Sequence, residues 1–157
     1  MSRNAYQRSA AHYEAIVDAP VEQVWALLTD WAGLLKWWPK SEAPFVIVGS
    51  DLIGQHGEVP RGRRVTLDNG GGGVETLLLE SAAAGRIYYD MVDGTIPGVF
   101  NYLATTTVDA TEDGGSLMRF SSTFDVAPGI DPAILQGAIT SVYQAIARGF
   151  SQNLDRR

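Results

Sequence analysis

The sequence predicts an α+β domain: a curved seven-stranded antiparallel sheet wrapped around one long C-terminal helix, with two short helices between strands 1 and 2. Three observations lead there. From Asp131 onward apolar residues recur at helical spacing, whereas residues 45–126 alternate or fall into short apolar runs. The turns between those runs are too short for anything but antiparallel pairing. At 157 residues, with no linker, internal repeat or low-complexity tract beyond Gly70 to Gly73, the chain has the size of a single domain spanning 1–157.

The first strand is expected at Tyr13–Val17, short and β-prone, stopped by Asp18-Ala19-Pro20. Pro20 suits the first turn of a helix, and Val21, Val24, Trp25 and Leu28 then share one apolar stripe. Trp31 to Trp38 reads as a second, shorter helix or turn, ended by Pro39. Six further strands follow at 45–49, 63–67, 74–80, 87–92, 102–108 and 117–126, parted by segments carrying the Gly, Asp and Asn residues that tight turns need. The last helix starts with Asp131 as N-cap and Pro132 in its first turn. Leu135, Ile139, Val142, Ile146 and Phe150 mark its buried stripe.

Composition removes whole classes of function. With no cysteine, disulfides, thiolate zinc sites, iron–sulfur clusters and cysteine nucleophiles are excluded. Only His12 and His56 could offer imidazole to a metal, and neither has a carboxylate at ligand spacing, so no metal and no cofactor is implied. Eighteen acidic against twelve basic residues, the latter scattered, argue against nucleic acid. There is no apolar run of about 18 residues and no signal-peptide core near the N-terminus, which reads as a soluble, cytoplasmic protein without membrane insertion. A homodimer is compatible with the sequence, which does not fix the oligomeric state. No serine elbow, paired-carboxylate motif or phosphate loop is present.

The order of these elements carries a resemblance. It rests on DAPVEQVWALLTDW at 18–31, WWP at 37–39, RRVTL at 63–67, VETLLL at 74–79, YDMVDGTIP at 89–97, FNY at 100–102 and FSSTFDV at 120–126. Together these are similar to the START-like, helix-grip (SRPBCC) superfamily, which includes bacterial polyketide cyclase/dehydrase-type proteins, birch pollen allergen relatives and plant abscisic acid receptors. The resemblance implies a cavity between sheet and helix, closed by the loops after strands three and five, in which function resides.

Strand parity then nominates the lining. Glu75 shares a face with Leu77 and Leu79, so either a carboxylate points among leucines into the cavity or it sits on a solvated face. The resemblance favours the first, since Glu75 matches an acidic ligand-facing residue of the plant receptors, although Thr76 replaces the arginine that follows it there. Tyr102 matches a ligand-facing tyrosine, and Tyr89 and Met91 share inward parity; the plainer reading makes the tyrosines core aromatics with hydroxyls reaching water. On strand seven the resemblance turns Ser121 inward, and Arg119 with it. The apolar pattern of Met118, Phe120 and Phe124 favours the opposite face, so the two arguments conflict. Ile139, Val142 and Ile146 supply the helix wall. Trp38 stands where the plant receptors place a ligand-binding lysine, which removes the partner of a carboxylate guest and favours a flat aromatic one. Trp25 and Trp31 are expected to pack the first helices on the sheet. Gly70–Gly73 is a mobile lid or a floppy hairpin tip. The receptors' gate sequence is missing, and Pro97-Gly98-Val99 replaces their latch.

Three functions are compatible with this reading. The first is a cofactor-independent acid–base enzyme of lyase, cyclase or dehydratase type, acting on an aromatic or polyketide-like molecule. In it Glu75, with a pKa raised by desolvation, is the catalytic acid or base, and Tyr102, Tyr89 and Arg119 stabilise developing negative charge. The second is a non-catalytic carrier or sensor of a hydrophobic small molecule. The third is a protein-binding module, which needs an exposed apolar patch that the sequence does not plainly show.

Overall fold

The computed structural model describes residues 5–156. Strand β1 (Gln7–Val17) runs into helix α1 (Val21–Thr29) and a single 3₁₀ turn (Leu34–Lys36). Strands β2 (Ile47–Ile53), β3 (Arg61–Leu67), β4 (Gly72–Ser81), β5 (Arg86–Met91), β6 (Val99–Ala110) and β7 (Ser116–Val126) then lead to helix α2 (Pro132–Leu154). The seven strands form one antiparallel sheet in the order β1-β7-β6-β5-β4-β3-β2. From β2 to β7 chain neighbours pair, and the sheet is extended at one edge by the N-terminal strand β1 pairing with β7.

Helix α2 forms where the periodicity places it. Asp131 accepts a hydrogen bond at 3.0 Å from the Ala133 amide, and Pro132 opens the first turn. Its buried stripe comprises Leu135, Ile139, Tyr143, Ile146 and Phe150, facing Phe120, Phe124, Met118 and Tyr102 on the concave side of the sheet. Burying each such side chain is worth about 2–3 kcal/mol.

Strand β1 starts six residues earlier than its local pattern announces, at Gln7 instead of Tyr13. The polar segment ahead of Tyr13 gains its strand conformation from unbroken pairing with β7, from Gln7↔Val126 to Val17↔Ser116. The expected second short helix is only the 3₁₀ turn, after which Trp37 and Trp38 are both buried in the core. Strand β2 lies later than expected, leaving Phe45 in the preceding loop, where its ring stacks on Trp38 at 5.1 Å.

Three register shifts bend the sheet: between Ile47 and Gly49, between Leu77 and Leu79, and between Phe100 and Leu103. At the third, Asn101 adopts a left-handed backbone (φ 51°). Its amide donates to Asp93 and its side-chain amide to Asp125, each at 2.8 Å. Asparagine tolerates this conformation better than most residues. The extra residue lets both Val99 and Tyr102, three positions apart, face the helix.

Candidate functional site

Between the concave sheet and α2 lies a cavity of about 400 Å³. Strand alternation builds one wall from Arg63, Val65 and Leu67 on β3, Glu75 on β4, Tyr89 and Met91 on β5, and Tyr102 on β6. Helix α2 supplies Ile139, Val142 and Ile146, and the segment after the 3₁₀ turn supplies Trp37, Trp38 and Phe45. The start of β4 (Gly72, Gly73) and the β5–β6 loop (Thr95, Ile96, Pro97) flank it.

The glycine run is an ordered turn. Leu67 N–H donates to Gly71 O at 2.8 Å, and the Asn69 side chain accepts from the Gly71 amide at 2.8 Å. Gly72 has φ +134° and would carry a Cβ only 2.0 Å from the Val65 carbonyl oxygen, so backbone pairing demands glycine there. A Cβ at Gly73 would meet Thr95 Oγ1 at 2.2 Å, so the start of β4 and the β5–β6 loop touch at this point.

The polar heart of the cavity is an ion pair. Arg63 and Glu75 are directly opposed across β3 and β4. Arg63 Nε donates to Glu75 Oε2 at 2.6 Å, and Nη2 lies 2.5 Å from the same oxygen in the ion pair. Arg63 Nη1 donates to the Trp31 carbonyl at 3.2 Å, and the guanidinium lies 3.8 Å over the Trp31 ring. Trp31 Nε1 in turn donates to the Glu75 backbone oxygen at 3.2 Å. Glu75 Oε1 has no hydrogen-bond partner among the described residues, and the Glu75 side chain is 20% exposed against 7% for Arg63.

Beside the pair stand three tyrosines. Tyr89 packs 5.2 Å from the Trp31 ring and 6.1 Å from the Tyr102 ring. Tyr102 and Tyr143 share a hydrogen bond of 2.8 Å between their hydroxyls. Burial pushes all three phenols up, Tyr89 and Tyr102 far above the usual value near 10 and Tyr143 to about 12. They therefore stand in the site as neutral hydrogen-bonding groups. A second inward ion pair, Arg61 with Glu80 at 2.8 Å, lies outside the cavity lining; Arg61 also donates to Thr29 O at 2.6 Å, tying β3 to the C-terminus of α1.

Several expected positions fall elsewhere. Arg119 is on the convex face, 46% exposed, bound to Glu14 at 3.1 Å and Asp109 at 3.0 Å, so it is not a cavity cation. Ser121 is also exposed: β7 turns Met118, Phe120, Ser122 and Phe124 inward, and the apolar alternation prevails over the positional match. Leu77 faces inward but is fully buried beyond the cavity lining, while Leu79 is 38% exposed because the register shift after Leu77 breaks the shared parity. Glu75 is not the partnerless desolvated acid expected among leucines, since a guanidinium neutralises it. Trp31 is fully packed and Trp25 half-buried against the core. His12 is exposed, 3.3 Å from Glu14. Among the described residues no group of three or more His, Cys, Asp or Glu side chains is arranged to hold a metal ion, and no helix is long and apolar enough to cross a membrane.

Comparison with known proteins fits this geometry. The family model for polyketide cyclase / dehydrase and lipid transport matches residues 10–157. The chain belongs to this family. No curated protein matches the sequence. Among solved structures, norcoclaurine synthase from Thalictrum flavum is similar with a TM-score of 0.73 and 23% identity, covering 94% of this chain and 87% of that one. The protein XoxI from Bacillus cereus is similar with a TM-score of 0.70 and 22% identity, over 96% and 95% of the two chains. An uncharacterised Bacillus thuringiensis protein gives 0.71 and 21%, over 94% and 98%. At these identities the neighbours establish the helix-grip fold.

Within this polyketide cyclase / dehydrase family member, the lining also holds Trp37, Phe45, Val65 and Leu67, which the sequence did not nominate, and two polar residues at or beside it, Arg63 and Tyr143, stand outside the sequence expectations. Arg63 shares parity with Val65 and Leu67, an inward signal masked by the adjacent Arg64, which is exposed. Tyr143, hydrogen-bonded to Tyr102 just outside the lining, lies four residues after Ile139 and seven before Phe150, squarely on the α2 stripe.

Proposed function

We propose that the protein binds an aromatic or polyketide-like small molecule in the cavity beneath α2 and acts on it by cofactor-independent acid–base chemistry of cyclase or dehydratase type. The observation that carries this reading is Glu75. Its Oε2 is held by Arg63 while Oε1 is left uncommitted, in a cavity that Tyr89 also lines and that is otherwise walled mostly by tryptophan, phenylalanine and aliphatic side chains. Glu75 Oε1 takes a proton from the carbon next to a substrate carbonyl. The electron pair moves to the carbonyl oxygen as an enolate, and the Tyr89 and Tyr102 hydroxyls stabilise it by hydrogen bonding. In a dehydration the enolate re-forms the carbonyl as a β-hydroxyl leaves, and that hydroxyl collects the proton from Glu75 and departs as water. In a cyclisation the enolate carbon instead attacks a second carbonyl, whose oxygen collects the same proton. Arg63 orients Glu75 through their ion pair, a positioning duty, and supplies the cation expected from Arg119.

The family description and the norcoclaurine synthase structures, one of them in complex with dopamine and hydroxybenzaldehyde, support an aromatic-binding, cyclase-type role. A carrier role is the second reading, favoured by the pairing itself, because one oxygen of the carboxylate is already committed to arginine. Native mass spectrometry of the purified protein for a co-purified guest, followed by binding and turnover assays on phenolic and polyketide-like compounds, separates the two. Glu75→Gln abolishes turnover and keeps binding if the enzyme reading holds. Tight binding with no conversion by the unaltered protein establishes the carrier.

A further inference from the structure

The charge on the cavity wall narrows the class of guest, and this inference rests on the cavity being a binding site as proposed above. The formally charged side chains in the lining are Arg63 and Glu75. They meet at 2.5 Å and cancel, and the tyrosines alongside are neutral phenols. An anionic guest would find Arg63 with Nε and Nη2 committed to Glu75 and Nη1 to the Trp31 carbonyl. A cationic guest would find a carboxylate whose charge is already met. Either ion would leave its hydration shell without gaining a counter-charge.

The uncommitted polar atoms tell the complementary half. Glu75 Oε1 has no hydrogen-bond partner among the described residues, and the Tyr89 hydroxyl, which the Tyr102 hydroxyl approaches as a donor, keeps its own O–H to give. One acceptor and one hydroxyl on the same wall match a guest hydroxyl that donates to Oε1, with an oxygen that accepts from Tyr89. Trp38, Phe45, Ile139 and Val142 give the rest of the guest an apolar, partly aromatic slot.

We propose that the Arg63–Glu75 pair makes this cavity selective for electrically neutral, hydroxyl-bearing aromatic molecules, rejecting carboxylate and ammonium analogues of the same size. Isothermal titration calorimetry at pH 7 on the full chain tests it with three matched probes: 2-naphthol, 2-naphthoate and 2-naphthylmethylammonium. The expected result is naphthol binding about 100-fold tighter than either ion. Glu75→Gln uncovers the guanidinium and moves the ranking at least tenfold towards naphthoate, while Arg63→Gln moves it towards the ammonium. Should Arg63→Gln fail to fold, as judged by circular dichroism, the Arg63→Met/Glu75→Gln double variant replaces it and keeps the neutral preference. Equal binding of all three probes, or a ranking that neither variant moves, overturns the charge-cancellation inference and leaves the cavity reading intact. No binding of any probe, with no guest co-purifying, overturns both.

Discussion

Gly149 offers a sharp test of how α2 seats against the cavity wall, because ordinary helix propensity and the local geometry give opposite signs. Replacing an interior helical glycine by alanine normally stabilises by about 1 kcal/mol. At Gly149, however, a Cβ would lie 2.1 Å from the carbonyl oxygen of Trp37 and 3.2 Å from its ring. Carbon and carbonyl oxygen ordinarily approach to about 3.3 Å, so the overlap exceeds about 1 Å. The obstacle is backbone, held by Trp37 N–H donating to Leu34 O at 3.2 Å, and by the Trp37 ring packed 4.8 Å from Phe150. Relief requires α2 to lift from the Trp37–Trp38 segment. Such overpacking costs about 3 kcal/mol, leaving a net loss of about 2 kcal/mol after the propensity gain. For a chain of this size that is a fall in Tm of about 4–8 °C. Gly137 on the same helix is the control: a Cβ there meets nothing within 4 Å, so Gly137→Ala gains about 0.5–1 kcal/mol. Thermal and urea unfolding followed by circular dichroism reads both. A Gly149→Ala protein as stable as the unaltered chain, alongside the expected gain at Gly137, would refute the close approach of α2 to Trp37.

Three further outcomes follow from the site. Arg63→Met leaves Glu75 facing a buried site without its cation and costs about 3–5 kcal/mol in urea denaturation, most of it recovered in Arg63→Met/Glu75→Leu; additive losses would disprove the pairing. Arg119→Ala, on the convex face, changes stability by no more than about 0.5 kcal/mol and leaves guest affinity in calorimetry untouched; a loss of affinity would return Arg119 to the cavity. Because burial raises Tyr89, Tyr102 and Tyr143 above their unfolded value near 10, the native state keeps protons that the unfolded chain sheds. Their stabilisation is therefore complete below about pH 10 and is lost as the pH rises towards and past 12. Alkaline difference spectroscopy at pH 11 should show at least three of the six tyrosines still phenolic in the folded protein and ionised in 8 M urea; full ionisation without unfolding would contradict their burial.

Local signals settled much of this protein in advance. The α2 stripe, the Asp131 cap, the glycine-rich turns and the period-two runs fix a seven-stranded antiparallel sheet with a terminal helix, because each is written within a few neighbouring residues. Tyr89, Met91, Ile139, Val142 and Ile146 could be nominated for the lining on the same ground, since parity and helical spacing decide which face a side chain occupies, whereas Glu75 and Tyr102 needed the family resemblance as well. Parity holds only while the ladder is regular. The register shift after Leu77 sent Leu79 outward, and the one at Asn101 let Val99 and Tyr102 share a face at odd spacing.

What lay beyond the sequence were relations across strands and between layers. That Arg63 faces Glu75 depends on the β3–β4 register, which no local pattern specifies, and it turns a lone acid into a neutral pair. That Arg119 finds Glu14 and Asp109 depends on β1 and β6 both flanking β7. That Tyr102 meets the Tyr143 hydroxyl depends on how α2 lies across the sheet. Periodicity assigns a residue its face at the cost of knowing only its near neighbours; the charge and hydrogen-bonding state of this cavity is set by groups distant along the chain, and only the folded arrangement brings them within reach.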